Sequence, residues 1–79
     1  MAKNKKVENL TEKVVFMLNV FKEQHKDVSY VDFENDCVLI VVDDITAPNV
    51  LMYYEYLYGL KEIFKFEDFK ILDISEFEM

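Results

Sequence analysis

Arginine and tryptophan are absent from this chain, and glycine, proline, cysteine and histidine occur once each. Each scarcity closes off a class of chemistry. With Gly59 as the only glycine there is no loop to cradle a phosphate, no dinucleotide-binding fingerprint and no P-loop, so nucleotide-dependent chemistry is excluded. Without arginine the planar, bidentate reader of phosphate and guanine is missing. All nine positive charges are lysines, which argues against direct binding to nucleic acid. Cys37 has no partner within the chain for a disulfide and fits a reducing, cytoplasmic compartment. His25 stands beside Gln24 and Lys26 where a helix would end, and reads as a solvated residue favoured by the helix dipole rather than as a catalytic base. Long apolar runs are also missing. Val14 to Leu18 and Cys37 to Val42 fall far below the roughly 20 residues needed to span a bilayer, so no membrane association is expected. The opening Met-Ala-Lys-Asn-Lys-Lys is basic like the start of a signal peptide, but Glu8 and Glu12 follow and no small-residue cleavage site comes after Phe21. Secretion is not expected.

What the chain does hold is the composition of a folded domain. Of its 79 residues 52% are hydrophobic, and seven Phe with five Tyr supply large side chains to bury. That length leaves room for one core. A chain so short buries only about 60–65% of the surface it exposes when unfolded, and this one has no disulfide or metal to staple it, so homodimerisation is expected to add burial. Charge is distributed unevenly: residues 1–26 carry six lysines and three glutamates, whereas residues 27–79 carry three lysines and thirteen acids. The first third is therefore +3 and the remainder −10, giving the net −7 of the chain. A field of that sign repels polyphosphate and steers a basic partner inward.

The pattern along the chain predicts an α/β (α+β) domain over residues 9–79, preceded by a flexible basic tail, residues 1–8. Asn9 or Thr11 is the expected cap of a helix in which Leu10, Val14, Met17, Leu18 and Phe21 share a stripe. Phe16 and Val20 fall on its opposite, polar side. Residues 29–34 alternate and 37–42 form a continuous apolar run, with Asn35-Asp36 between them as a hairpin turn. Val31, Phe33, Val38, Ile40 and Val42 then share one face; Tyr30, Asp32, Glu34, Cys37, Leu39 and Val41 share the other. Pro48 suits the first turn of a second helix, whose buried stripe is read as Val50, Leu51, Tyr54, Leu57 and Tyr58. Gly59 either ends that helix or is carried through it. Phe69 to Ile74 reads as a third strand. The expected order is α-β-β-α-β, an antiparallel hairpin packed on two helices.

No nucleophile–base pair can be assembled, so an enzyme is not expected. Cys37 follows Asp36, whose charge raises a thiol pKa, and reads as structural. Asp43 with Asp44, or Asp32 with Glu34, match no calcium-loop spacing, and no metal or cofactor is expected. Tyr53 and Tyr56 read as the edge of the core rather than as a base-stacking pair, since no cationic groove accompanies them. What remains is the acidic set itself: Asp32, Glu34, Asp36, Asp43 and Asp44 on and around the hairpin, with Asp27 beside it, and Glu67, Asp68, Asp73, Glu76 and Glu78 at the end. Such acids often serve only to keep a small protein soluble. Alternate residues of a strand, however, present carboxylates about 6.6 Å apart on one face, a spacing of the same order as phosphates along a nucleic-acid strand.

The acidic hairpin Asp32-Phe-Glu-Asn-Asp36, the Asp43-Asp44 pair and the stretch from Glu67-Asp68 to Glu78 resemble the small acidic host-takeover proteins of lytic bacteriophages, some of which mimic DNA. In size, acidity and scarcity of glycine and arginine the chain is similar to the phage inhibitor of the bacterial histone-like protein HU. The resemblance implies a cytoplasmic, non-enzymatic homodimer whose carboxylates occupy the DNA-binding surface of a basic nucleoid-associated protein. The positive first third departs from a uniformly acidic mimic. Phe16, Val20, Leu39 and Val41 are the expected dimer interface. The alternative is an adaptor or assembly subunit that uses such apolar surface against an enzyme, polymerase or protease.

Overall fold

Nothing between Ala2 and Gln24 interrupts a helix: the segment lacks glycine and proline, and five Lys and three Glu are good helix formers. The first helix, α1, accordingly runs Ala2–Gln24 in the computed structural model, which describes residues 2–77, with side chains from residue 10. It begins well before the expected cap at Asn9 or Thr11, and the backbone of residues 2–8, read above as a tail, is helical. Val14, Leu18 and Phe21 are buried and Met17 packs beside them. His25 closes the last turn, its Nδ1–H donating to the Phe21 carbonyl at 2.9 Å. Its ring lies on Phe21 at 4.4 Å and meets Tyr53 edge-on at 5.1 Å, so it is half-buried packing and not the solvated terminus expected.

The hairpin forms in the expected register. Strand β1, Val28–Glu34, pairs antiparallel with β2, Cys37–Val42, placing Glu34 opposite Cys37, Phe33 opposite Val38 and Val31 opposite Ile40. Asn35 and Asp36 take φ of 54° and 62°, the two left-handed positions that a type I′ turn demands and that Asn and Asp tolerate. An irregularity between Val28 and Tyr30 lets Val28 pair with Val42, so the inward row ends on a buried valine.

The second helix, α2, spans Val50–Phe64 and passes through Gly59. Its buried residues are Val50, Tyr53, Leu57 and Leu60. Leu51 and Tyr58, expected inside, are 72% and 60% exposed, a rotation of the helix set by Tyr53. The Tyr53 ring packs edge-on against Phe21 at 5.0 Å. Its hydroxyl donates to Asp27 Oδ1 at 2.6 Å and accepts from Asn49 Nδ2 at 2.7 Å, while Asn49 also donates to Asp27 at 2.9 Å. Tyr54 at that place could not reach Asp27 without turning the helix. Lys65 closes α2 at φ 60°, its N–H donating to the Lys61 carbonyl at 2.7 Å.

Strand β3, Asp68–Asp73, lies parallel to β2 and completes a sheet in the order β1-β2-β3. The expected order α-β-β-α-β and the hairpin packed on helices are thus observed, with the strand ending one residue before Ile74. A short helix α3, Ile74–Phe77, follows, nucleated by a capping box: Asp73 Oδ1 accepts from the Ser75 N–H at 3.0 Å, and Glu76 accepts from the Asp73 N–H at 3.2 Å. On one sheet face Val38, Ile40, Val42 and Ile71 meet the buried stripes of α1 and α2. The opposite face is partly covered by α3, whose Phe77 stacks on Tyr30 at 5.0 Å.

Two local features give measurable consequences. Gly59 sits in the middle of α2, where an added Cβ would meet nothing within 4 Å, and Lys65 holds a conformation that glycine prefers. Gly59→Ala is expected to stabilise the fold by about 0.5–1 kcal/mol, and Lys65→Gly to be neutral or stabilising. Thermal melting at fixed protein concentration should show Gly59→Ala raising Tm by about 2–8 °C.

The Asp27–Tyr53–Asn49 cluster links stability to pH at both extremes. Burial opposes charge on Asp27, but the hydrogen bonds from Tyr53 and Asn49 outweigh it and hold the carboxyl below its ordinary 3.8. Burial and the bond to Asp27 push the Tyr53 hydroxyl up from 10 to about 12. Tyr53 therefore stabilises the fold in full below pH 10, and that contribution is lost as pH rises toward 12. The Asp27 contribution is present above 3.8 and lost as pH falls through its lowered value. Tyr53→Phe should cost about 1–3 kcal/mol at neutral pH and flatten the alkaline limb of a denaturation profile. An unchanged alkaline limb would refute the assignment.

Candidate functional site

The sheet register divides the expected acidic residues between two ends of the molecule. Strand β2 advances about 3.3 Å per residue, so Asp36 and Asp43 at its two ends stand roughly 23 Å apart.

At the far end the carboxylates are engaged in holding the fold. Asp43 accepts a hydrogen bond from Ser29 Oγ. Asp44 Oδ1 accepts from the Thr46 N–H at 3.0 Å and from Thr46 Oγ1 at 2.7 Å, forming the turn that leads into α2. Asp73 is the most committed, because it takes the Ile45 N–H at 3.0 Å on one oxygen and Ser75 on the other. Those bonds, the Ile45 N–H first, hold its carboxyl below the ordinary range. It ties the loop after β2 to the end of β3. Glu76 completes the capping box.

At the hairpin end the carboxylates are gathered and open. The turn at Asn35-Asp36 reverses the chain beside the start of β3, where the Asp36 carbonyl accepts from the Glu67 and Asp68 N–H groups at 2.9 and 3.4 Å. Glu34, Cys37 and Asp68 fall in one row across the three strands, with neighbouring strands about 4.8 Å apart. Glu34, Asp36, Glu67 and Asp68 are all exposed, and Asp68 uses one oxygen on the next N–H, that of Phe69, at 2.8 Å. Asp32 lies one row inward, half-buried and bonded to its neighbour's N–H at 2.9 Å; Leu39 and Lys70 complete that row. Glu78 lies outside the described residues.

Cys37 registers the field of this cluster. Burial first, then the charge of Asp68, push its thiol up; Lys70 opposes them, and Glu67 and Asp36 add lesser pushes upward. A thiol so placed is held protonated and is a poor nucleophile. The sequence anticipated Asp36 in this role, but Asp68 and Glu67 came from the parallel pairing of β3, for which the sequence has no local signal. Among the described residues no group of three His, Cys, Asp or Glu side chains is placed to hold a metal ion, and no helix is long and apolar enough to cross a membrane.

The four residues expected as a dimer interface do not form one surface. Phe16 is 66% exposed and Val20 half-buried on the outer side of α1. Leu39 and Val41 lie on the sheet face away from α1. Val41 is 0% exposed, beside the Tyr30–Phe77 stack and beneath the layer that α3 adds, so it is removed from any contact surface. The capping box Asp73-Ile-Ser-Glu76, legible in the sequence, was the signal that α3 would return over it.

No family model, curated protein or solved structure matches the chain.

Proposed function

We propose that the protein is a non-enzymatic acidic inhibitor that occupies the DNA-binding surface of a basic, HU-type nucleoid-associated protein, in the manner of the phage host-takeover proteins it resembles, within the bacterial cytoplasm. The observation that carries this reading is the hairpin end, where Glu34, Asp36, Glu67 and Asp68 stand exposed together. Carboxylates already spent on turns and caps make a weaker contact surface, because a partner must displace the bonds they hold. In the open set only Asp68 holds such a bond, on one oxygen, to the Phe69 N–H. Its members project from adjacent strand ends at spacings of about 5–10 Å, a range in which a row of lysines or arginines made for phosphates finds negative charge. Homodimerisation belongs to the same reading, since two copies present two such ends and gain by effective concentration.

The alternative, an adaptor that binds an enzyme or polymerase through apolar surface, is favoured by the exposure of Phe16, Met52 and Ile63, at 66%, 66% and 70%. The two readings differ in their response to salt, because exposed charges are screened over about 8 Å at physiological ionic strength.

Displacement of duplex DNA from a purified HU-type protein tests the proposal. Wild type should displace DNA at low salt and lose affinity steeply as salt rises. Glu34→Lys with Glu67→Lys should abolish displacement, whereas Asp43→Lys with Asp44→Lys should act less, and through loosening of the loop before α2. Asp36→Gly removes a carboxylate at a left-handed position, so it should weaken displacement while leaving Tm equal or higher. Displacement that is insensitive to salt, or untouched by the hairpin-end reversals, would exclude DNA mimicry by this surface.

A further inference from the structure

On the side of α1 turned away from the core, Lys13, Phe16, Val20 and Glu23 recur at spacings of three, four and three residues. That is the spacing of a helix-pairing seam, and it lies opposite the buried Val14, Leu18 and Phe21. Its centre is apolar and its two ends carry opposite charges. We propose that a second copy of this chain covers this face, with its own α1 antiparallel to the first and the two-fold axis passing between Phe16 and Val20. The proposal deepens the dimer reading above and rests on it.

The stripe is self-complementary only in that arrangement. About the axis, Phe16 meets Val20 of the second copy, and Lys13 meets Glu23 of the second copy, each pair occurring twice as an isologous interface requires. Parallel pairing in register would set Lys13 against Lys13 and Glu23 against Glu23, which repel. Flanking the stripe is a cleft of about 370 Å³ lined by Glu12, Lys13, Phe16, Met17 and Phe64, which gives the face relief into which an apposed side chain can settle. Ile63 extends the apolar rim: it lies two turns along α2 from Tyr56, whose ring stacks on Phe21 of α1 at 4.7 Å. The hairpin-end carboxylates are not part of this face and stay open to a different partner.

Sedimentation equilibrium of the full chain at about 100 µM reads the mass directly. Wild type should sediment as a dimer. Phe16→Asp should weaken association by at least about tenfold, and Lys13→Glu or Glu23→Lys alone should each weaken it by about threefold to tenfold. The double variant Lys13→Glu/Glu23→Lys should recover most of that loss, because the pairs are re-formed with signs exchanged. The substituted side chains at 13, 16 and 23 are exposed, and unchanged circular dichroism checks that each variant is folded. A wild-type mass of 9.5 kDa, a dimer indifferent to Phe16→Asp, or a double variant no better than the singles would overturn the proposal. Mass and DNA displacement are separate readouts, so failure of the dimer and failure of the inhibitor reading are told apart.

Discussion

Strand β2 is held from both flanks and both faces, and the remaining elements take their places from it. Its six residues, Cys37 to Val42, pair with β1 on one side and β3 on the other, and Val38, Ile40, Val41 and Val42 are all 0% exposed. The apolar run of β2 replaces the alternation of β1 because one of its faces is fully covered and the other is covered at the Val41 end, while Cys37 and Leu39 stay half-buried. Val38, Ile40 and Val42 require helices on one side. Val41 requires a cover on the other, and the four-residue α3 contributes it. Removing any layer would expose large branched side chains at about 1.5–3 kcal/mol each, a large share of the stability of a domain this small.

This dependence explains which parts of the fold were legible in the sequence. The hairpin was, because Asn35-Asp36 carries its turn chemistry locally and a two-residue turn leaves only one register. The buried stripe of α1 was, because Val14, Met17, Leu18 and Phe21 keep a helical spacing in a segment with nothing to break a helix. In α2 the segment Val-Leu-Met-Tyr-Tyr-Glu-Tyr-Leu-Tyr is apolar or aromatic nearly all round. Periodicity cannot choose between Tyr53 and Tyr54 there, and the choice falls to a hydrogen bond with Asp27, distant in sequence. The acidic set was legible as composition. Its division into engaged and open members was not, since that depends on β3 lying parallel beside β2.

Glycine usage makes a related point about how the chain meets its constraints. The backbone enters the left-handed region at Asn35, Asp36 and Lys65, none of them glycine, while the sole glycine stands in a helix with ordinary φ. At Asn35 and Asp36 the residues chosen tolerate the conformation, and at Asp36 the choice also leaves a carboxylate at the hairpin tip. A glycine there would favour the turn more and contribute no charge. The tip is thus a place where local conformational preference yields to surface chemistry, whereas Asp73 and Asp44 show acids whose charge is absorbed by the backbone around them.

The separation of these roles bears on whether the two proposed contacts are compatible in one small chain. Strand β1 packs on α1 and leads from Val28, just after the helix ends, to the hairpin about 20 Å further on, so the open carboxylates lie away from the carboxy-terminal end of α1. In an antiparallel pairing centred between Phe16 and Val20, the two hairpin ends consequently fall toward opposite extremes of the dimer. Each end remains accessible, and the like charges are kept apart, which limits the repulsion that a net charge of −7 per chain would otherwise set against association. In the proposed pairing the seam sets Lys13 against Glu23 of the second copy, so the contact itself pairs opposite charges and does not add to that repulsion.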